Sequence, residues 1–419
     1  MDVEEINQAF SPSREIVDPE MFVGRADEIR TGILALQNRG GCLAIYGPRA
    51  VGKTSIALQL KQIAEGSTVL ARMLDEMRYL PRSGFSYTVH YVRCDRYVRN
   101  IADLLKRILF GDEENPSLFE LTSSGEARLE QIKKTLQGHG ELGIFGSKLG
   151  GEGRVESVYS MYVSDDFVQQ FRKVLGVVNK ERATRNGLLV LIDEFDVIED
   201  KSGFASIVKS CSSDTIKFGI VGIASSIGEL IEDHSSVGRQ IDAIRVRKMN
   251  EYELHLILKR AEFAVHNRIK FDEDSKRLIA LHAEGFPYFV HLLGKEAMLL
   301  AFERRQSVIT ASLVTELAER VVSGRLPTIY EDWYHDAIGD SQGCEVLLKA
   351  FAEDVREEIP AAAILDLVEK LGYTSASTLM DALTRQTVGQ AVLQQSRNGY
   401  FRFADPVFKI YARLRQWEF

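Results

Sequence analysis

Gly47-Pro-Arg-Ala-Val-Gly-Lys-Thr54 follows the apolar run Cys42-Leu-Ala-Ile-Tyr46 and precedes a helical pattern from Ile56 to Ala64. The octet fits G-x-x-x-x-G-K-[ST] without exception, and an apolar strand before it with a helix after it is the context that confirms the motif. The backbone of Gly47, Pro48, Arg49, Ala50, Val51 and Gly52 can wrap phosphates. The N–H groups from there through Ser55 point inward, and the helix N-terminus adds partial positive charge. Lys53 neutralises the β- and γ-phosphates of ATP, or the β-phosphate of ADP, and Thr54 ligates Mg²⁺. A glycine turn without a ligand would leave the Lys-Thr pair unexplained.

Further along, Leu188-Leu-Val-Leu-Ile-Asp-Glu-Phe-Asp196 places two carboxylates at the end of an apolar strand, where open α/β sheets put their ligand sites. This is a Walker B segment: Asp193 is expected to hold the Mg²⁺ shell through water and Glu194 to polarise the attacking water. Asp196 reads either as a cap of the next helix or as a direct participant. A fourth strand ends Gly222-Ile-Ala-Ser-Ser226, so Ser225 or Ser226 is a candidate sensor of the γ-phosphate, with a turn-forming pair as the alternative. Arg239, after Asp233-His-Ser-Ser-Val-Gly, reads as an arginine finger or as half of a structural ion pair.

The expected organisation grows outward from these segments. Cys42–Tyr46, Tyr87–Cys94, Leu188–Ile192, Phe218–Ala224 and the strand-like Asp242–Val246 alternate with helical patterns. That alternation implies a three-layer, parallel-sheet α/β P-loop core over 21–248, after a polar arm of 1–20. Residues 111–165 form a long insertion, with seven glycines in the sixteen residues Gly138–Gly153. No strand leads cleanly into that segment and no helix cap follows, so it reads as a hairpin with no catalytic role. From Asn250 four helical patterns build a lid over 249–326. Over 327–419, three helices are followed by two short strands flanking Ser396-Arg-Asn-Gly399; the Asn-Gly pair is a strong hairpin signal, and the whole suggests a winged helix.

Composition sets the limits. The chain has 419 residues, beyond what one hydrophobic core usually serves, and a formal charge of −8, which argues against coating nucleic acid by bulk electrostatics. Its four cysteines, Cys42, Cys94, Cys211 and Cys344, form no C-x-x-C pair and read as reduced, mostly buried thiols. The acidic N-terminus does not look like a signal peptide, and nowhere do about 18 apolar residues run together, so a cytoplasmic protein without a membrane partner is expected.

Phe22-Val-Gly-Arg-Ala-Asp-Glu28, the two Walker segments and Glu284-Gly-Phe-Pro-Tyr-Phe-Val-His-Leu-Leu-Gly294 together resemble the STAND and origin-recognition-type branch of AAA+ ATPases, over nearly the whole chain. The ending Tyr400-Phe-Arg-Phe-Ala-Asp-Pro-Val-Phe-Lys-Ile-Tyr411 resembles that of prokaryotic members with a winged-helix tail. The resemblance implies that Val23, Gly24 and Arg25 pack on the adenine and that Gly285 and Pro287 are the G-x-P motif of the lid, with Pro287 near the base. Where many AAA+ lids carry an arginine as second sensor, this helix offers Phe289 and His291, which favours a switch over a fast motor. The partners implied are a protein effector or a homo-oligomer, as in bacterial defence or transposition ATPases. Duplex DNA is the alternative, touched by Arg397 and Arg402 on the wing, although residues 341–419 carry nine Lys or Arg against ten Asp or Glu, a balance of −1.

Overall fold

The structure is a computed structural model and describes residues 2–12, 14–121, 165–182, 184–231, 238–322, 328–339, 341–354, 356–373, 376–385 and 391–415. The glycine-rich segment 138–153 and the linker 323–327 lie outside the described residues. The chain divides into a core unit, Glu15–Pro48 with Gly52–Arg247, and a second unit of Met1–Arg14, Arg49–Val51 and Lys248–Phe419. Helix α1 (Val3–Ala9) opens the chain in the second unit.

The core unit runs α2 (Ala26–Gln37), β1 (Cys42–Gly47), α3 (Lys53–Ala64), α4 (Val69–Met73), β2 (Tyr87–Arg93), α5 (Ile101–Phe110), α6 (Asp165–Arg182), β3 (Gly187–Asp193), α7 (Phe204–Cys211), β4 (Ile216–Ile223), α8 (Ile227–Leu230) and β5 (Ile241–Arg245). Its sheet has the order β2-β3-β4-β1-β5, every pairing parallel. Strand β3 is buried at all seven positions, which is why its sequence shows no alternation: helices cover both faces of a parallel sheet. Core side chains come from successive elements, among them Leu104 and Ile108 of α5, Phe171 and Leu175 of α6, and Phe204 and Val208 of α7.

A buried cation locks one corner. Lys217 of β4 is 3% exposed, and its Nζ donates to the carbonyls of Ala35 (2.7 Å) and Asn38 (2.5 Å). Both carbonyls lie at the C-terminal end of α2, the negative end of its dipole, and that of Ala35 also accepts the Asn38 N–H. Burial lowers the lysine's pKa, offset by the charge of Asp242.

The second unit continues with α9 (Glu251–Ala264), β6 (Lys270–Phe271), α10 (Glu273–Ala283), α11 (Pro287–Glu303), β7 (Val308–Ile309) and α12 (Ala311–Val322), then α13 (Thr328–Ile338), α14 (Gln342–Glu353), β8 (Ile359–Pro360), α15 (Ala361–Lys370), α16 (Ala376–Thr384), β9 (Leu393–Arg397), β10 (Tyr400–Phe403) and α17 (Pro406–Leu414). Asn250 and Glu253 form a capping box on α9, Asp272 caps α10, and Pro287 opens α11 at its first position. The expected polar arm holds more than solvent-facing chain. Ile6, Ala9 and Phe10 are buried, and α1 packs on α9 and α11, with Phe10 so close to Gly294 that a Cβ there would lie 2.7 Å from its ring.

Strands β8, β10 and β9 form a three-stranded antiparallel sheet, and Arg397 pairs with Tyr400 across the two-residue turn Asn398-Gly399, with Gly399 at φ 74°. Glu284, the left-handed cap of α10, is held by Lys409 (3.3 Å) and Arg413 of α17 and lies 3.8 Å from Lys248. Its carboxylate thereby ties the α10–α11 turn to the C-terminal helix. Among the described residues no helix is long and apolar enough to cross a membrane, and all four cysteines are free and buried.

One buried base gives the core a pH signature. His90 of β2 is 1% exposed; its Nε2 donates to the Ile108 carbonyl at 3.0 Å, while Nδ1 has no partner among the described residues. Burial lowers its pKa from 6.5 to about 4. Between those values the unfolded chain binds the proton and the folded chain does not, so stability falls as pH drops through that window. Urea midpoints measured at pH 7 and pH 5 are expected to separate clearly in the parent protein and less in His90→Gln; an equal separation in both would remove His90 as the cause.

Candidate functional site

The register of the sheet collects the chemistry at one edge. Gly47, the last residue of β1, pairs with Ile223 near the end of β4; Ile192 of β3 pairs with Ile220, and Asp193 pairs with Arg93 at the end of β2. The two Walker strands, β1 and β3, flank β4, which sets them about 10 Å apart at strand spacings of about 4.8 Å.

The phosphate loop leaves β1 through Gly47, where a Cβ would lie 2.3 Å from the Val246 carbonyl oxygen, so only glycine fits. It enters α3 through Gly52 at φ 93°, a backbone open to glycine, and no side chain caps the helix N-terminus. The first N–H groups of α3 therefore lack a side-chain cap where an anion is expected. Lys53 is 9% exposed, and its Nζ donates to the Pro48 carbonyl at 2.7 Å, so the ammonium reaches across the loop. Thr54 is half-buried beside it, Val51 is fully buried, and Arg49 is exposed. The Ser55 hydroxyl accepts the N–H of Ile16 at 3.0 Å and so fastens the N-terminal segment to α3, aided by Gln59, whose Nε2 donates to the carbonyls of Ile16 and Val17.

At the end of β3, Asp193 is 1% exposed. Its Oδ1 accepts the N–H of Glu194 at 2.8 Å and its Oδ2 accepts the hydroxyl of Tyr91 at 2.6 Å. Glu194 itself is exposed and left-handed, at φ 55°, which is costly for a residue with a side chain and tolerated where the surroundings enforce it. The next residue supplies that enforcement: Phe195 is fully buried against Phe204. Burying one side chain and exposing the other at consecutive positions turns Glu194 outward at the strand end.

These residues fit Mg²⁺. Asp193 is a buried carboxylate whose partners among the described residues are the neutral Tyr91 hydroxyl and Glu194 N–H, and a buried charge calls for a counter-charge. Mg²⁺ is usually held by one or two protein oxygens together with phosphates and waters, and Thr54 and Asp193 are a donor set of that size.

Other candidates are placed elsewhere or otherwise engaged. The Oδ1 of Asp196 accepts the Ile223 N–H at 2.8 Å, joining the turn after β3 to the end of β4. Ser226 caps α8 through Glu229 N, and the Ser225 N–H donates to the Glu229 carboxylate at 2.7 Å, so the pair makes the turn, with Ser225 exposed. Arg239 precedes β5, whose Ile241 pairs with Cys42 at the start of β1. The phosphate loop leaves from the far end of β1, about 17 Å away at about 3.3 Å per residue, so Arg239 is not brought to the loop of its own chain. It is exposed and makes no ion pair among the described residues.

Arg25 is 3% exposed and left-handed, capping the start of α2, with Nη1 donating to Glu28 (3.1 Å) and to the Arg247 carbonyl (2.7 Å); Val23 and Gly24 before it are half-buried. In the second unit, Gly285 has φ 85° and would bring a Cβ to 2.9 Å from the Met249 carbonyl oxygen. Pro287 is half-buried; Phe289 and His291 are buried, and the His291 Nδ1 accepts the Ser11 N–H at 3.4 Å while burial lowers its pKa to about 4. Both side chains are core residues of their unit. On the hairpin, Arg397 pairs with Glu358 at 3.2 Å and covers the ring of Tyr400, and Arg402 is half-buried. Sequence reasoning missed Tyr91 and Arg93, which stand in an ordinary strand pattern; only the pairing of β2 with β3 reveals them.

No family model and no curated protein matches the chain. Solved structures similar to it include a Walker-type ATPase of Pyrococcus abyssi, at 15% identity and TM-score 0.49, covering 96% of this chain and 99% of that one. Another is Drosophila ORC bound to DNA, at 14% identity and TM-score 0.39, covering 98% and 90%. A third is the Thermotoga maritima RuvB Holliday junction branch migration motor, at 14% identity and TM-score 0.40, covering 91% and 93%.

The loop geometry makes Lys53 the fixed cation of the site. Removing a charge-assisted hydrogen bond costs about 1.5–3 kcal/mol, so Lys53→Ala should weaken ATP binding by about ten- to a hundred-fold while the thermal transition persists. Calorimetric titration of both proteins checks this, and equal affinity in a folded variant would displace the site.

Proposed function

We propose that the chain is a Mg²⁺-dependent ATPase of the STAND or origin-recognition type, working as a molecular switch: ATP binding and slow hydrolysis control a partner effector or the protein's own assembly, in the manner of prokaryotic defence ATPases. The observation that carries this reading is the gathering at one sheet edge of the Lys53–Thr54 loop with the carboxylates of Asp193 and Glu194. Lys53 draws charge from the β- and γ-phosphates, and the N–H groups at the start of α3 orient them. Bound Mg²⁺ would offset negative charge on the phosphate oxygens. Thr54 and Asp193 would hold its shell, and Glu194, exposed beyond the strand end, would accept the proton of the attacking water. Slow turnover is in keeping with Phe289 and His291, core residues where many relatives carry an arginine. Residues 327–419 are read as a winged helix, the hairpin β9–β10 being its wing.

A second reading, an initiator-like or transposition-type ATPase on DNA, is favoured by Arg397 and Arg402 on that hairpin. Its weakness is that Arg397 already pairs with Glu358. Binding to duplex DNA that declines steeply with added salt would support it, since phosphate contacts release counterions; no salt-sensitive binding would remove it.

Two variants test the chemistry. Glu194→Gln should bind ATP like the parent and lose hydrolysis by at least about a hundred-fold, because the amide keeps the shape and cannot take the proton; parent-like turnover would exclude Glu194 as base. Arg239 can reach a γ-phosphate only from a neighbouring subunit. Mixing Glu194→Gln with Arg239→Ala should therefore restore part of the activity that each lacks, and failure to complement would leave Arg239 without a catalytic part.

A further inference from the structure

We propose that Tyr91 is a positioning residue of the nucleotide site, its hydroxyl fixing the Asp193 carboxylate in the orientation that receives the aqua shell of Mg²⁺; this rests on the ATPase reading above. Tyr91 lies on β2, paired with Leu191 in β3, and Arg93 is paired with Asp193. Residues paired across parallel strands share a face, and so do residues two apart, so Tyr91, Arg93 and Asp193 project to the same side of the sheet.

The phenol donates to Asp193 Oδ2 at 2.6 Å, a length typical of an O–H donor on a charged carboxylate. With Glu194 N on Oδ1, both oxygens are oriented, and two of about four lone-pair sites remain for water. The donor is in turn supported. The guanidinium of Arg93 lies beside the Tyr91 hydroxyl, and its Nη2 pairs with Glu15 Oε1 at 2.8 Å, so a chain Glu15, Arg93, Tyr91, Asp193 runs into the site.

A plain structural role is the natural alternative, because buried tyrosine hydroxyls usually find some acceptor. Tyr87, four residues earlier on the same face of β2, shows that pattern, donating to the Leu36 backbone carbonyl at 2.7 Å. Tyr91 instead spends its hydroxyl on the one buried carboxylate of the Walker B strand. Groups that orient a metal's ligands in this way typically contribute about ten- to a hundred-fold in metal affinity.

The experiment is calorimetric titration of the full chain with ATP, in Mg²⁺ and in excess EDTA, for the parent, Tyr91→Phe, Tyr91→Gln and Asp193→Asn. The parent should bind more tightly with Mg²⁺. Tyr91→Phe should match it in EDTA but lose about ten-fold or more of the tightening by Mg²⁺, and should need a correspondingly higher Mg²⁺ concentration for half-maximal hydrolysis. Tyr91→Gln, which keeps a donor, should recover part of the loss, and adding Tyr91→Phe to Asp193→Asn should cost nothing more, because the hydroxyl acts through that carboxylate. An unchanged Mg²⁺ effect in folded Tyr91→Phe, or a full additional loss in the double variant, overturns the positioning role and leaves the ATPase reading standing. A parent that binds no ATP overturns both. If neither Tyr91 variant folds, the hydroxyl is structural and the proposal falls.

Discussion

Parallel pairing is the constraint from which the rest of the molecule follows. When every strand of β2-β3-β4-β1-β5 runs the same way, all carboxyl ends meet at one edge, and whatever follows each strand is thrown together there. Segments more than a hundred residues apart, the loop after Tyr46 and the carboxylates after Ile192, become neighbours through β4 alone. The edge is held to close tolerances. Gly47 passes against the Val246 carbonyl with no room for a methyl group, and Gly187 at the opposite end of β3 would meet the Thr215 carbonyl oxygen at 2.0 Å. Glycines thus set both how the sheet begins a strand and how it releases the phosphate loop.

Buried charge is the second organising feature, and each instance serves as a tie between elements. Lys217 binds β4 to the last carbonyls of α2; Glu284 binds the α10–α11 turn to Lys409 and Arg413 of α17. Burying such a group costs several kcal/mol before its partners offset it, so these ties give little net stability and much specificity of arrangement, since losing one partner strands a charge. The Glu284 cluster stands one residue from Gly285, whose own freedom is taken up by the close approach of Met249. The G-x-P segment is therefore shaped by packing and by ions, independently of any contact with a base.

Much of the fold was legible in the chain because its strong signals are local. The apolar runs became β1 to β5 to within two residues, and Asn398-Gly399 became the two-residue turn it announces. Helix α1 reads as a polar arm in sequence, because two buried residues, Ile6 and Ala9, with Phe10 just beyond, are too few to set a periodicity over seven helical positions. Within the site, Lys53, Thr54, Asp193 and Glu194 were legible since motif spacing encodes them. The hydroxyls and charges around them were not. Ser226 and Asp196 carry groups that suit chemistry and structure equally well in sequence; the structure adds that Ser226 caps α8 and that Asp196 accepts the Ile223 N–H. For Arg239 the sequence left two readings open, and the register of β5 on β1 removes only contact with the loop of its own chain.

The electrostatics of the edge argue for an anion that brings its own cation. Lys53 donates to a neutral carbonyl of its own loop, while Asp193, among the described residues, accepts from two neutral donors, the Tyr91 hydroxyl and the Glu194 N–H. A phosphate offered to the loop replaces the Pro48 carbonyl by a charged acceptor, roughly doubling the strength of the lysine's hydrogen bond. The same phosphate placed beside Asp193 and Glu194 would meet two like charges in a partly buried setting, where repulsion is poorly screened. A divalent ion between them reverses the sign of that interaction, and Thr54 supplies the neutral oxygen next to it. Nucleotide and metal are thus expected to bind as a coupled pair: the positive side of the site accepts the phosphate with or without its ion, and the acidic side accepts it only with the ion.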